Sequence, residues 1–158
     1  MSLTIEFSGG DPADSPFARF SFMRGAVAWA DEIGPVVREA LKAEAPVSKD
    51  TMDGRTGGRL RDSIRYERET AAGTVSAVFT ANTPYAGYVL SGTLPHAISA
   101  VAARYLRYEL PEGHYVFRRR VWHPGTQPDP FNVRAVTPLT VELRSSFAEA
   151  MQASAEGA

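Results

Sequence analysis

Three histidines, His96, His114 and His123, are the residues of this chain best suited to ligand or acid–base chemistry near neutral pH. They are widely spaced, each in or beside a turn or strand end, and no two stand at the short helical spacing that mounts a metal on one face. Polar loop positions outweigh a three-histidine metal site, and neither metal nor cofactor is expected. Ser91-Gly92 suggests a nucleophile, but the strained elbow needs a glycine two positions before the serine, and Val89 stands there. Asp31 and Glu32 fall on the polar side of a helical pattern and read as solvated. Gly54, Gly57 and Gly58 follow no strand, so they do not make a phosphate-cradling loop. The chain has no cysteine, which excludes disulfide scaffolds, thiolate zinc sites and cysteine nucleophiles. No catalytic set emerges, and the expectation is a protein that is not an enzyme.

Arg118-Arg119-Arg120 is the densest basic run. On one strand its outer two arginines would share a face, with Arg119 opposite. Arg59, Arg61 and Arg65 could extend the patch toward DNA phosphates or an acidic partner. The whole chain, however, carries 17 Lys+Arg against 18 Asp+Glu, a net charge of -1. A dedicated nucleic-acid binder normally shows a basic excess, so a solvated strand face is the weightier reading. A small DNA-binding module using Arg118 to Arg120 is the rival of another class. No apolar run approaches the roughly 20 residues needed to cross a bilayer. Glu6 stands where a secretory signal would be basic, so synthesis and assembly in a reducing cytoplasm are expected, with no membrane partner.

The elements that would position these residues follow from periodicity. At 158 residues, 44% apolar and 22% charged, the chain has room for one domain and one core. Leu3, Ile5 and Phe7 alternate with polar residues as in a short strand, which Gly9, Gly10, Asp11 and Pro12 end. Residues 1–14 thus read as an arm or strand that adds to its own sheet or to another subunit. Ser15 and Pro16 look like a cap and first-turn proline. The recurrence of Met23, Val27, Ala30, Ile33, Val37 and Leu41 predicts a helix with one buried face, ending near Ala45-Pro46. Gly34-Pro35 inside it should give two pieces or one bent one. Residues 46–58 read as an exposed loop.

Val75, Ala77 and Phe79 mark one face of a strand, and a turn at Asn82-Thr83-Pro84 leads to a short helix stopped by Gly92. Residues 105–110 and 115–122 form a predicted hairpin. The prolines of 123–130 preclude regular structure. Val133, Val136, Leu139, Leu143, Phe147 and Met151 mark a final helix, irregular near Pro138, with residues 153–158 as a flexible tail. The expected fold is a single α+β domain over 15–152: a long N-terminal helix kinked near Pro35, a small, mostly antiparallel β-sheet, and a C-terminal amphipathic helix.

Three segments also resemble a known family. Residues 45–64 look like its Ala-Pro-Val, Thr-Gly and Leu-Arg-x-Ser-Ile signature, with residues inserted before Thr56-Gly57 and Gly58 interposed before Arg59-Leu60. Residues 83–93 are similar to its Tyr-Ala-x-Tyr-Val-x-x-Gly-Thr, with Leu90 where glutamate is usual. Residues 123–131 are close to its His-Pro-Gly-x-x-Pro-x-Pro-Phe turn. The family is that of tailed-phage tail-completion and head–tail joining neck proteins. The resemblance implies a virion protein forming a homo-oligomeric ring, hexameric to match tail symmetry. That ring would meet neck proteins of the head-closure and tail-terminator types, close to packaged DNA; a tail-terminator ring capping the tail tube is the nearest rival. Interface candidates are Arg59, Leu60, Tyr85, Tyr88, Gly92, His123, Pro124 and Phe131, with Arg118, Arg119 and Arg120 for DNA or an acidic partner. Tyr85 and Tyr88 stand three apart, as residues facing one partner would, and Pro124, Pro128 and Pro130 stiffen the turn presenting His123 and Phe131.

Overall fold

The structure is a computed structural model. It describes residues 2–8, 16–48, 57–71, 73–110 and 112–156, the side chains of 3, 5–8 and 16–21 excepted. The elements begin with β1 (Ser2–Ser8), α1 (Pro16–Glu44), α2 (Arg59–Asp62), β2 (Ile64–Ala71), β3 (Thr74–Ala81) and α3 (Ala86–Ser91). They continue with β4 (His96–Ser99), β5 (Leu106–Glu109), β6 (Tyr115–Arg118), β7 (Arg120–His123), α4 (Phe131–Val136) and α5 (Thr140–Glu156), the last two joined by a 3-10 turn at Thr137–Leu139. This is the expected α+β class. The chain divides into two compact units, Met1–Ala86 with Pro130–Ala158, and Gly87–Asp129. The expected cap at Ser15, the arm residues 9–14 and the loop centre at 49–56 lie outside the described residues.

In the first unit the helical periodicity becomes a buried stripe. Ala26, Trp29, Ala30, Ile33, Val37 and Leu41 of α1 are all buried. α1 is one helix through Gly34 and Pro35, so interruption, one of the two expected outcomes there, does not occur. The reason is tertiary. The Tyr66 ring sits where Gly34 has no side chain, and a Cβ at that position would lie 2.1 Å from its Cζ. The Tyr66 hydroxyl donates to the Ala30 carbonyl at 2.6 Å, tying β2 to the turn just before Pro35. Burial raises the Tyr66 hydroxyl pKa above the usual tyrosine value, with the nearby Asp31 charge adding to the effect.

α5 packs antiparallel on α1, as paired contacts along both helices show. Trp29 Nε1 donates to Ser146 Oγ at 2.8 Å, and its ring meets Phe147 edge-on at 5.3 Å. One turn or so earlier, Arg24 Nη2 donates to the Ser154 carbonyl at 2.7 Å. Gly25 lies against Met151 and Ser154, an approach that a larger residue would block. A buried tryptophan with its N–H satisfied is a large apolar contribution without a desolvation penalty.

The sheet of this unit has strand order β1-β3-β2, antiparallel throughout. β3 is central, and Val75, Ala77 and Phe79 on its inner face are buried, as the alternation predicted, with Ala81 buried after them. The N-terminal strand pairs within its own chain, with Leu3 opposite Phe79 and Phe7 opposite Val75. On the other edge Tyr66 is opposite Phe79, their rings 5.3 Å apart.

The second unit contains two separate two-stranded antiparallel ladders, β4–β7 and β5–β6. The single strand expected over 115–122 divides at Arg119, because its two halves pair with different partners: Arg118 is opposite Leu106, and Arg120 is opposite Ser99. No described residue of Gly87–Asp129 is buried. Isolated two-stranded ladders are marginal in water, so this unit lacks what normally stabilises such elements. Among the described residues, no helix is long and apolar enough to cross a membrane.

Candidate assembly surfaces

The first family-like segment closes a loop and starts a helix. Gly57 approaches the Ser48 carbonyl so closely that a Cβ would lie 2.1 Å from it, so the two ends of the 48–57 stretch meet. Gly58 takes the left-handed conformation, φ 103°, immediately before α2. Arg59 is exposed there, but Leu60 is 2% exposed and sits in the core. Leu60 as an interface candidate is thereby corrected: its burial within the chain leaves no side chain for a partner. Arg61 pairs with Asp62 at 2.8 Å, holding that exposed carboxyl below the usual carboxylate range.

The second and third segments prove to be one structure. Thr93 and Thr126 exchange backbone hydrogen bonds of 2.9 and 3.1 Å, and Asp129 N–H donates to the Val89 carbonyl at 2.9 Å. Glycine is needed on both sides of this junction. Gly92 has φ 70° and would place a Cβ 2.4 Å from the Thr126 carbonyl oxygen; Gly125 has φ 92° and would place one 2.3 Å from that of Thr93. Gly92 therefore ends α3, as expected, and also admits the opposite chain. Tyr88 is 63% exposed on α3, while Tyr85 is exposed in the turn before it. The Ser91 hydroxyl donates to the Gly87 carbonyl at 2.8 Å, a local helix bond.

Next to this junction the β4–β7 register sets His96 opposite His123, with ring centroids 5.2 Å apart. His96 Nδ1 lies 2.8 Å from the Leu94 carbonyl oxygen, so it carries the proton in the neutral ring. His123 Nδ1 accepts from Gly125 N–H at 3.1 Å, which puts the neutral proton on Nε2 instead. The two contacts thus favour opposite neutral tautomers. The two rings line an open concavity of about 730 Å³ with Tyr88, Ser91, Ile98 and Thr126. His114 belongs to the β5–β6 turn, where Leu110 N–H donates to its carbonyl at 2.8 Å. No group of three or more His, Asp or Glu able to hold a metal occurs among the described residues. Sequence reading missed the histidine pair, since residues 27 positions apart meet only through strand register. Pro124 is exposed beside it. Phe131, by contrast, is 2% exposed in the first unit's core, so it too is corrected from interface candidate to core residue.

Arg118, Arg119 and Arg120 are all exposed, but they lie at the end of β6, at the bend and at the start of β7. The expected two-against-one alternation on one strand therefore does not hold. Aromatic rings lie close to three arginines of this unit: the Arg107 guanidinium is 3.9 Å from the Tyr115 ring centre, and Arg104 and Arg119 each stand 5.7 Å from that of Tyr105. None of the unit's five arginines forms an ion pair among the described residues.

Among the described residues, Gly87–Asp129 exposes aromatic rings and arginines and buries none, whereas the helix–sheet–helix unit has a buried core. Residues 21–92 match the family model described as "Bacteriophage HK97-gp10, putative tail-component". The match covers the first motif segment and all but the last residue of the second, and agrees with the resemblance drawn from them; the class it supports is a phage tail component, a virion protein. No curated protein and no solved structure matches the chain.

Proposed function

We propose that the protein is a structural, non-catalytic subunit of a tailed-phage neck, forming a homo-oligomeric ring, hexameric to match tail symmetry, that joins the head connector to the tail. The observation that carries this reading is the Gly87–Asp129 unit, in which no described residue is buried. Val101 is 96% exposed and Trp122 69%. Apolar surface on this scale marks an interaction site, and a ring covers it on every copy. The match to a tail component supports the virion setting. The axial neighbours are head-closure and tail-terminator proteins, packaged DNA runs nearby, and the subunit is made in the host cytoplasm.

Removing the gene from a phage that encodes it, then imaging the particles, tests the reading. Filled heads and finished tails that fail to join are expected, with the protein located at the neck of wild-type particles. Joined particles without it overturn the proposal. Binding of the purified protein to isolated tail tubes, without any head-side component, would move it to a tail-terminator ring.

A further inference from the structure

We propose that the Gly87–Asp129 unit of one copy docks on the outer face of α5 of a second copy, a contact that rests on the subunit reading above. The first observation is the unequal division of charge. Residues 87–129 hold five arginines against Glu109, Glu112 and Asp129, a net of +2. The rest of the chain holds 12 basic and 15 acidic residues, a net of -3. The near-neutral total conceals two units of opposite sign.

The second observation is the pattern on α5. Glu142, Glu149 and Glu156 are exposed and seven residues apart, which sets them in one line along the helix. About 100° round the helix, across exposed Ser145 and Gln152, runs another line of Val141, Ala148 and Ala155, also exposed, with Val141 at 80%. The inner face of α5 is already occupied by α1 through Ser146, Phe147 and Ser154. Its outer face thus carries an apolar line with carboxylates on one side and Arg144 on the other. None of these three glutamates forms an ion pair among the described residues.

The complementary surface is on the second unit. On β7, Arg120 and Trp122 are two residues apart and share a strand face, so a cation and a large exposed ring stand side by side. Arg118 and Arg119 adjoin them, while Phe117 and Tyr115 are exposed on β6. Small residues on α5 allow aromatic side chains to approach the helix, and carboxylates on one side of the apolar line meet the guanidinium groups. Because the two surfaces differ, the contact is heterologous: each copy offers one surface forward and one back, as a closed ring requires.

Charge reversal in the full-length protein tests this contact. One variant carries Arg118→Glu, Arg119→Glu and Arg120→Glu; another carries Glu142→Arg, Glu149→Arg and Glu156→Arg. All six side chains are exposed, so circular dichroism should match wild type. Each variant alone should self-associate roughly 100-fold more weakly in sedimentation equilibrium, since three attractions become repulsions. A 1:1 mixture of the two, and a single chain carrying all six changes, should both regain assembly. No recovery in either overturns the proposal. Wild-type association in both triple variants overturns it too, while leaving the ring intact through another face. Arginine reversal that abolishes salt-dependent DNA binding and spares self-association would overturn it in favour of nucleic acid. Wild-type protein that stays monomeric both alone and in neck assemblies would sink the ring itself.

Discussion

Gly34→Ala should destabilise the protein, the opposite of what helix propensity demands. In the middle of a helix this change ordinarily stabilises by about 1 kcal/mol, because alanine restricts the unfolded chain and favours the helix. Here the added Cβ would fall 2.1, 2.2 and 2.5 Å from three atoms of the Tyr66 ring. The ring cannot simply withdraw, since its hydroxyl holds the Ala30 carbonyl at 2.6 Å and its face lies 5.3 Å from Phe79. Overpacking of this kind costs about 1–3 kcal/mol, and losing the hydroxyl's bond costs about 1 more. Set against the propensity gain, the net is a loss of about 1–3 kcal/mol. Urea unfolding followed by tryptophan fluorescence should show a lower midpoint with an unchanged slope, and Tm should fall by roughly 2–4 °C per kcal/mol. Repeating the change in a Tyr66→Ala background should reverse its sign. A Gly34→Ala protein as stable as wild type or more so, with Tyr66 in place, would refute the reasoning.

Other expectations are as direct. Gly92→Ala and Gly125→Ala should each cost at least about 1–2 kcal/mol, from positive φ alone, and increase hydrogen exchange at Thr93 and Thr126. Trp29→Phe should cost about 1 kcal/mol or more by leaving Ser146 Oγ without its indole donor, measured by thermal unfolding. The raised Tyr66 pKa implies stability that is complete below the usual tyrosine value and lost as pH rises through the higher folded value; Tyr66→Phe should remove that alkaline dependence. For Asp62 and Glu39, lowered chiefly by hydrogen bonds from Arg61 and Arg38, the sign is opposite. Their small contribution is complete above the usual carboxylate range and lost as pH falls through the lower folded values, as a Glu39→Gln, Asp62→Asn variant should show in acid titration.

What the amino-acid order determined by itself was largely local. The three- and four-residue recurrence of Ala30, Ile33, Val37 and Leu41 specified which side of α1 is buried, because a helix repeats faster than its environment changes. Alternation at Val75, Ala77 and Phe79 did the same for β3, and Gly92 marked the end of α3 because a left-handed residue is needed there. The periodicity also found Val133 apolar, yet it is 58% exposed, because only the Phe131 and Ala135 side of α4 meets the core. Position in space was decided by contacts distant in sequence. Gly34-Pro35 reads as a kink or an interruption, and the ring of Tyr66 explains why glycine stands in a continuous helix. Leu60 and Phe131 belong to recognisable motifs, but no pattern distinguishes a motif residue facing inward from one facing a partner. His96 and His123 meet through β4–β7 pairing, and the arginine run divides because its halves enter different ladders. Registers of this kind depend on the summed fit of both strands, which no single stretch of sequence contains.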